Sequence, residues 1–254
     1  MPAEGATWAP IITMNIDHIV QQISISAIPI LMAVIFHEVA HGWVANKRGD
    51  PTARLVGRLT LNPLPHIDPV GTVIIPIFLL IATKGSFVFG YAKPVPVNFM
   101  NLRRPKEDMI LVAGAGPATN LLLAILCGVL FRIILAINPS LILHLRQEGG
   151  PSAWSDPVAV ILIPILLMLL QAVKWNVVLA VFNMIPIPPL DGGRVMVGLL
   201  PDRQSEAWSS IEPFGFFIII ALVLLDPFGF WTQIISPLIA TVMMWILGIH
   251  SFFY

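Results

Sequence analysis

Ile28-Pro-Ile-Leu-Met-Ala-Val-Ile-Phe-His37-Glu38-Val39-Ala40-His41-Gly-Trp-Val44 is the stretch on which the reading of the fold turns. It is apolar throughout, apart from two histidines and a glutamate within five consecutive positions. Histidines at i and i+4 leave one face of a helix a single turn apart, so both reach one metal ion. The glutamate between them stands beside that ion, where a carboxylate can take a proton from water. Ionisable side chains inside a bilayer span are expensive and mark function. The stretch therefore reads as a metal site built into a membrane helix.

Composition supports the membrane. Of 254 residues, 57% are hydrophobic and only 11% charged, and mean hydropathy is +0.86. Soluble domains carry about 25% charged residues. Net charge is formally zero, so no basic surface argues for nucleic acid. The single cysteine, Cys127, lies in an apolar run and forms no internal disulfide. Residues 1–22 show neither a basic n-region nor a small-residue cleavage site, so no secretory signal peptide is expected. No stretch remains for a separate soluble domain. The expectation is one integral membrane domain over residues 1–254, with a core at about 24–194 and a C-terminal helical hairpin at about 213–250.

Further along, the fold class reads as an all-α polytopic membrane protein with about five to six transmembrane helices. After an interfacial segment (residues 1–24), the first span is expected at about 24–45. It ends at Asn46-Lys47-Arg48-Gly49-Asp50, a basic helix stop with a glycine. Pro63, Pro65 and Pro69 exclude a regular helix in the following stretch. Residues 70–83 are apolar but short for a span. They read as a re-entrant element, followed by extended, β-like chain from Phe87 to Val97. The next two spans are expected at about 109–137 and 158–184. Two last apolar runs, about 213–225 and 231–249, flank Asp226-Pro227-Phe228-Gly229 as a hairpin. Lys174, in mid-span, reads as a side chain reaching along its helix toward water or a polar neighbour.

Charge orients this arrangement. Eleven of the fourteen lysines and arginines (Lys47, Arg48, Arg54, Arg58, Lys84, Lys93, Arg103, Arg104, Lys106, Arg194 and Arg203) fall in segments on one side. By the positive-inside rule that side is cytoplasmic. His37 lies ten residues before Lys47, so the metal is expected about 15 Å below the cytoplasmic surface.

A catalytic zinc needs three protein ligands and an open position. Asp191 is the best candidate for the third. It follows the span that ends near Asn183, at matching depth. Pro186, Pro188 and Pro189 unwind the chain before it, and Gly192 and Gly193 permit close backbone approach. Irregular backbone at membrane depth is tolerated only where it is buried or lines a wet cavity.

With these residues in place, the chain resembles the site-2 proteases, intramembrane zinc metalloproteases of peptidase family M50. The resemblance rests on His37-Glu38-x-x-His41 in one span, Gly116-Pro117-x-x-Asn120 at the head of the next, and Asn183-x-x-Pro186-x-Pro188-x-Leu190-Asp191-Gly192 closing the third. It covers roughly residues 28–194 and is similar to the minimal bacterial type without PDZ or CBS domain. Asn62-Pro63-x-x-His66-x-Asp68-Pro69-x-Gly71 and Lys93-Pro94-Val95-Pro96-Val97-Asn98 look like stretches of compact bacterial members.

The resemblance implies one zinc ion per chain on His37, His41 and Asp191. It implies Glu38 as general base and proton donor, and an active site open to the cytoplasm of a bacterial inner membrane. The implied partners are a transmembrane protein substrate and the lipid bilayer. Asn183 and Asn120 are implied near the metal, orienting substrate or the oxyanion. His66 either stabilises the oxyanion or shapes its own turn by hydrogen bonding, and the turn role is favoured. A helical substrate must unwind to expose a carbonyl, and the Phe87–Val97 stretch is the candidate edge for strand addition. Two other classes compete: a metal-ion transporter, and a non-catalytic protein that binds membrane helices.

Overall fold

The computed structural model describes residues 16–82, 90–146 and 156–248. Ten α-helices follow in order among them: α1 (Ile16–Arg48), α2 (Thr52–Leu55), α3 (Ile75–Ala82), α4 (Pro105–Ile137), α5 (Leu141–Arg146), α6 (Pro157–Asn183), α7 (Asp191–Leu199), α8 (Asp202–Ser209), α9 (Glu212–Leu225) and α10 (Ser236–Leu247). Residues 16–24 of the expected interfacial segment are helical and open α1. Residues 1–15 lie outside the described residues.

Four helical stretches are long and apolar enough to cross a membrane: Ile23–Arg48, Pro105–Ile137, Pro157–Asn183 and Phe230–Leu247. A fifth arises if α8 and α9, bent by 64°, form one broken span. At five, the count meets the lower end of the expected five to six. Residues 69–82 make a continuous helix that begins with a π turn, but at 1.5 Å per residue it reaches only about 21 Å, short of the ~30 Å hydrocarbon thickness. Beyond it, Tyr91 N–H donates to Gly71 O at 3.0 Å, so the chain at Tyr91 lies beside the start of this helix.

The β-like element is not found. Among the described residues there is no strand. Gly90–Asn98 is irregular chain, and Phe87–Phe89 lie outside the described residues. The reason is in the backbone hydrogen bonding. Tyr91 and Lys93 donate to Gly71 and His66, the Lys93 and Pro94 carbonyls accept from Arg58, and Pro94 and Pro96 have no N–H to offer a ladder.

The outward faces identify the solvent. Along α4 the buried positions Asn120, Ala124, Gly128 and Phe131 recur every three to four residues. The opposite face exposes Leu121, Leu122, Ile125, Leu126, Val129 and Leu130. The outside of this helix is more apolar than much of its inside. Lipid, not water, suits such a face, while small inner residues let neighbouring helices close in. The chain is a multi-pass membrane protein.

One apolar cluster, built on Ala124, Phe131, Leu141, Leu166, Val173, Val177 and Leu247, joins α4, α5, α6 and α10. The most extensive contacts run among α1, α4, α6 and α7, and the polar residues gather there.

Candidate metal centre

His37 and His41 leave α1 on its α4 face. α4 runs antiparallel to α1 in a register that sets His41 against Val112 and His37 against Asn120. Gly116 lies between, and there the helices touch. A Cβ on Gly116 would stand 2.5 Å from His41 Nε2 and 2.6 Å from His37 Cε1, inside any real contact distance. Only glycine leaves room for the imidazole pair. Pro117, next along, has no N–H, so the Ala113 carbonyl one turn earlier has no intrahelical partner. Ala113 lines the cavity beside the histidines.

Asp191 arrives from the other side as the first residue of α7. The chain between α6 and α7 is folded tightly through Pro186, Pro188 and Pro189, with the Pro188–Pro189 bond cis. Side chains on Gly192 or Gly193 would collide with Met184 O or with the Ile187–Pro188 peptide. The glycine pair therefore lets α7 press against this turn and brings Asp191 to the histidines.

The geometry converges on three atoms. Asp191 Oδ2 is 3.1 Å from His37 Nε2 and 3.3 Å from His41 Nε2, and the two Nε2 atoms are 3.0 Å apart. Hydrogen bonding on the far side of each ring fixes the protons. His41 Nδ1 lies 2.7 Å from Val112 O, a carbonyl that can only accept, so Nδ1 carries the hydrogen. For His37 the same follows through a relay of amides. Asn176 Nδ2 donates to Ala172 O at 2.8 Å, which turns Asn176 Oδ1 toward Asn120. Asn120 Nδ2 donates to Asn176 Oδ1 at 2.7 Å and to Ala33 O at 3.0 Å. That leaves Asn120 Oδ1 to accept from His37 Nδ1 at 2.6 Å.

Each ring thus carries a hydrogen on Nδ1 and, in its neutral form, points a bare Nε2 lone pair at a carboxylate oxygen. Asp191 Oδ2 is buried and has no hydrogen-bond partner among the described residues. Three acceptors at this separation repel one another unless a cation lies among them. Tetrahedral zinc with bonds of ~2.0–2.1 Å holds its ligand atoms about 3.3 Å apart, which matches the triangle found. His37, His41 and Asp191 are a group able to hold a metal ion.

The triad opens into a cavity of about 180 Å³, lined also by Glu38, Val95, Asn183 and Arg194. Glu38 Oε2 accepts from Val95 N–H at 2.7 Å. Asn183 reaches the cavity wall and donates through Nδ2 to Leu179 O at 3.0 Å. His66 is not brought to this cavity. It is buried in a 3₁₀ turn (Leu64–His66), where its Nε2–H donates to Thr60 O at 2.9 Å. Lys174 is exposed on α6, with Nζ 5.6 Å from the Trp175 ring centre.

Sequence reasoning brought Asn120 near the metal but missed its partner Asn176. A signal existed, since an asparagine in mid-span must find a hydrogen-bond partner. Val112 O and Val95 N–H are backbone groups that no residue type announces.

Fold and triad together define a polytopic membrane protein with a buried site for a metal ion. Comparison with known proteins gives the family. The model of peptidase family M50 matches residues 25–225, and the chain belongs to that family. It is 35% identical over 197 residues to "Putative zinc metalloprotease YwhC" of Bacillus subtilis, covering 77% of this chain and 78% of that protein. It is 30% identical over 211 residues to "Putative zinc metalloprotease Rip2" of Mycolicibacterium smegmatis, covering 79% and 67%. The Rip2 of Mycobacterium tuberculosis H37Rv is 27% identical over 201 residues. By family and by its relatives' names, the chain falls among the zinc metalloproteases. No solved structure matches it significantly.

Proposed function

We propose that this chain is a zinc endopeptidase that hydrolyses peptide bonds in or near transmembrane segments of membrane proteins, with Glu38 as general base. The observation that carries the reading is the sharing of one cavity by Glu38 and the three bare donor atoms. His37 precedes Arg48, the last residue of the spanning helix α1, by eleven positions in the sequence, or about 16 Å along the axis. A substrate must come to that depth.

When bound, zinc would supply a Lewis acid for the scissile carbonyl and lower the pKa of a coordinated water. The chain supplies the rest. His37, His41 and Asp191 hold the ion. Glu38, with Oε2 engaged by Val95 N–H, uses Oε1 to take the proton of the attacking water and returns it to the leaving amine nitrogen. Asn183, in the cavity wall, orients the substrate. Asn120 acts through His37, whose ring and tautomer it fixes. His66 shapes its own turn.

The domain is single over residues 1–254, with the core at 24–194 and the hairpin as its C-terminal brace. The basic end of α1, carrying Lys47 and Arg48, faces the cytoplasm of a bacterial inner membrane, and the cavity opens to that side. The partners are a transmembrane protein substrate and lipid. The Phe87–Val97 stretch is the docking edge for an unwound substrate.

The test uses purified protein in liposomes with a single-span model substrate carrying glycine and proline in its span. Cuts mapped by mass spectrometry should fall within or beside that span, and Glu38→Gln should reduce the rate by 10²-fold or more. Cuts confined to the soluble part would remove the intramembrane claim. Full activity of Glu38→Gln would remove the base.

A further inference from the structure

We propose that Arg58 is a positioning residue for Glu38, acting through the Lys93–Asn98 strap that it fastens across the base. This inference rests on Glu38 being the base. Three observations carry it.

First, Val95 N–H is the one amide hydrogen in Pro94-Val95-Pro96, since proline has none. It is spent on Glu38 Oε2 at 2.7 Å. The two prolines hold the strap extended without competing for that acceptor.

Second, the strap is pinned at both ends by the loop directly after α1. At one end, Arg58 Nη2 donates to Lys93 O at 2.6 Å and to Pro94 O at 3.1 Å. At the other, Asp50 Oδ2 accepts from Asn98 N–H at 2.7 Å, while its Oδ1 accepts from Asn101 Nδ2 at 2.9 Å. Val95 hangs midway, its side chain packed near Gly42, one position past the second histidine.

Third, the use of Arg58 is costly. It is buried, its Nε has no hydrogen-bond partner, and among the described residues no carboxylate pairs with it. A buried guanidinium that meets only carbonyls is a poor stability device. Its placement is explained by the carbonyls it grips: that of Pro94 belongs to the very peptide that carries Val95 N–H, and that of Lys93 to the peptide before it. The helix that bears the base is thus followed by the loop that holds the base still. With Oε2 fixed, the free oxygen Oε1 is presented to the cavity rather than rotated out of it.

The experiment has a structural arm and a kinetic arm. Infrared difference spectra of the metal-free protein against its Glu38→Gln variant isolate the Glu38 carboxylate stretch. Val95→Pro, which deletes the N–H, and Arg58→Gln, which releases the strap, should both shift that band. Val95→Ala, which keeps the N–H, should leave it in place. In liposomes with the single-span model substrate, Val95→Pro and Arg58→Gln should lower kcat by about 10²-fold while KM changes by less than about two-fold. Arg58→Lys should recover much of kcat, and zinc per chain should match wild type in all of them. If Val95→Pro fails to fold, an amide-to-ester replacement at position 95 makes the same deletion. An unshifted carboxylate band in Arg58→Gln, or loss of zinc with loss of kcat, would overturn the proposal. A fully active Glu38→Gln would instead overturn the base assignment, and the infrared arm would still report whether the strap holds the carboxylate.

Discussion

The centre formed by α1, α4, α6 and α7 and the C-terminal helices α9 and α10 bury different chemistry. In the centre, the buried faces carry His37, Asn120, Asn176 and Asp191. In the C-terminal helices they carry Gly215, Met243 and Leu247. Burying a polar group costs free energy unless it is hydrogen-bonded, and the centre meets that cost with the Asn120–Asn176 relay and the Val112 carbonyl. Within the triad it leaves Asp191 Oδ2 without a hydrogen-bond partner, facing the two histidine Nε2 atoms. The C-terminal helices have no such obligation and contribute packing alone. Within the centre the two imidazoles also differ. His37 is fixed by a chain of side chains, and His41 by a backbone carbonyl that no substitution removes.

This contrast can be broken in order of expected effect. Gly116→Val should reduce bound zinc to a small fraction of wild type, because its side chain must occupy the histidine positions; elemental analysis of protein with wild-type helicity checks this. Asn120→Ala should weaken metal affinity by about 10–100-fold through the freed His37 ring. Asn176→Ala, one link further out, should cost less, and competition with a chelator measures both. Gly128→Leu strikes the contact of α4 with Ile246 of the α10 helix. It should lower thermal stability by about 1–3 kcal/mol and leave zinc per chain unchanged. If it empties the metal site instead, centre and C-terminal helices are not separable.

The smallest effect is at Asp50. Burial alone would raise its carboxyl, but hydrogen bonds from Thr52, Asn101 and the Asn98 N–H outweigh this and hold it below the usual carboxylate range. A lowered folded-state value means that its stabilisation is fully present above the ordinary carboxylate value of about 3.9. It fades as pH falls through the lower folded value. Protease resistance of the loop after α1 should therefore decline below about pH 4, and Asp50→Asn should abolish that pH dependence.

The same contrast governs what could be read before the structure. His37 and His41 were legible because ionisable groups in an apolar run have few reasons to be there, and Asp191 because prolines and glycines put it on irregular backbone at matching depth; the three come together in the structure. The spans of α1, α4 and α6 were legible from length and hydropathy. The C-terminal helices were visible only as apolar chain, and the fifth span depends on α8 and α9, bent by 64°, crossing together, which hydropathy does not encode. The pairing of Asn120 with Asn176 spans 56 positions and depends on helix register, which composition does not encode. The strap was read as β-like, and Gly90–Asn98 is instead irregular chain. Its prolines signalled extended chain, but Arg58, 35 and 36 positions before the carbonyls it grips, gave no hint that they were already taken.

The central claim is that His37, His41 and Asp191, brought from two distant segments, hold one ion. Zinc content of the purified wild type beside His37→Ala and Asp191→Ala tests it most directly. One zinc per chain in wild type, lost or strongly reduced in both variants, is the predicted result. Full zinc in folded Asp191→Ala would contradict it.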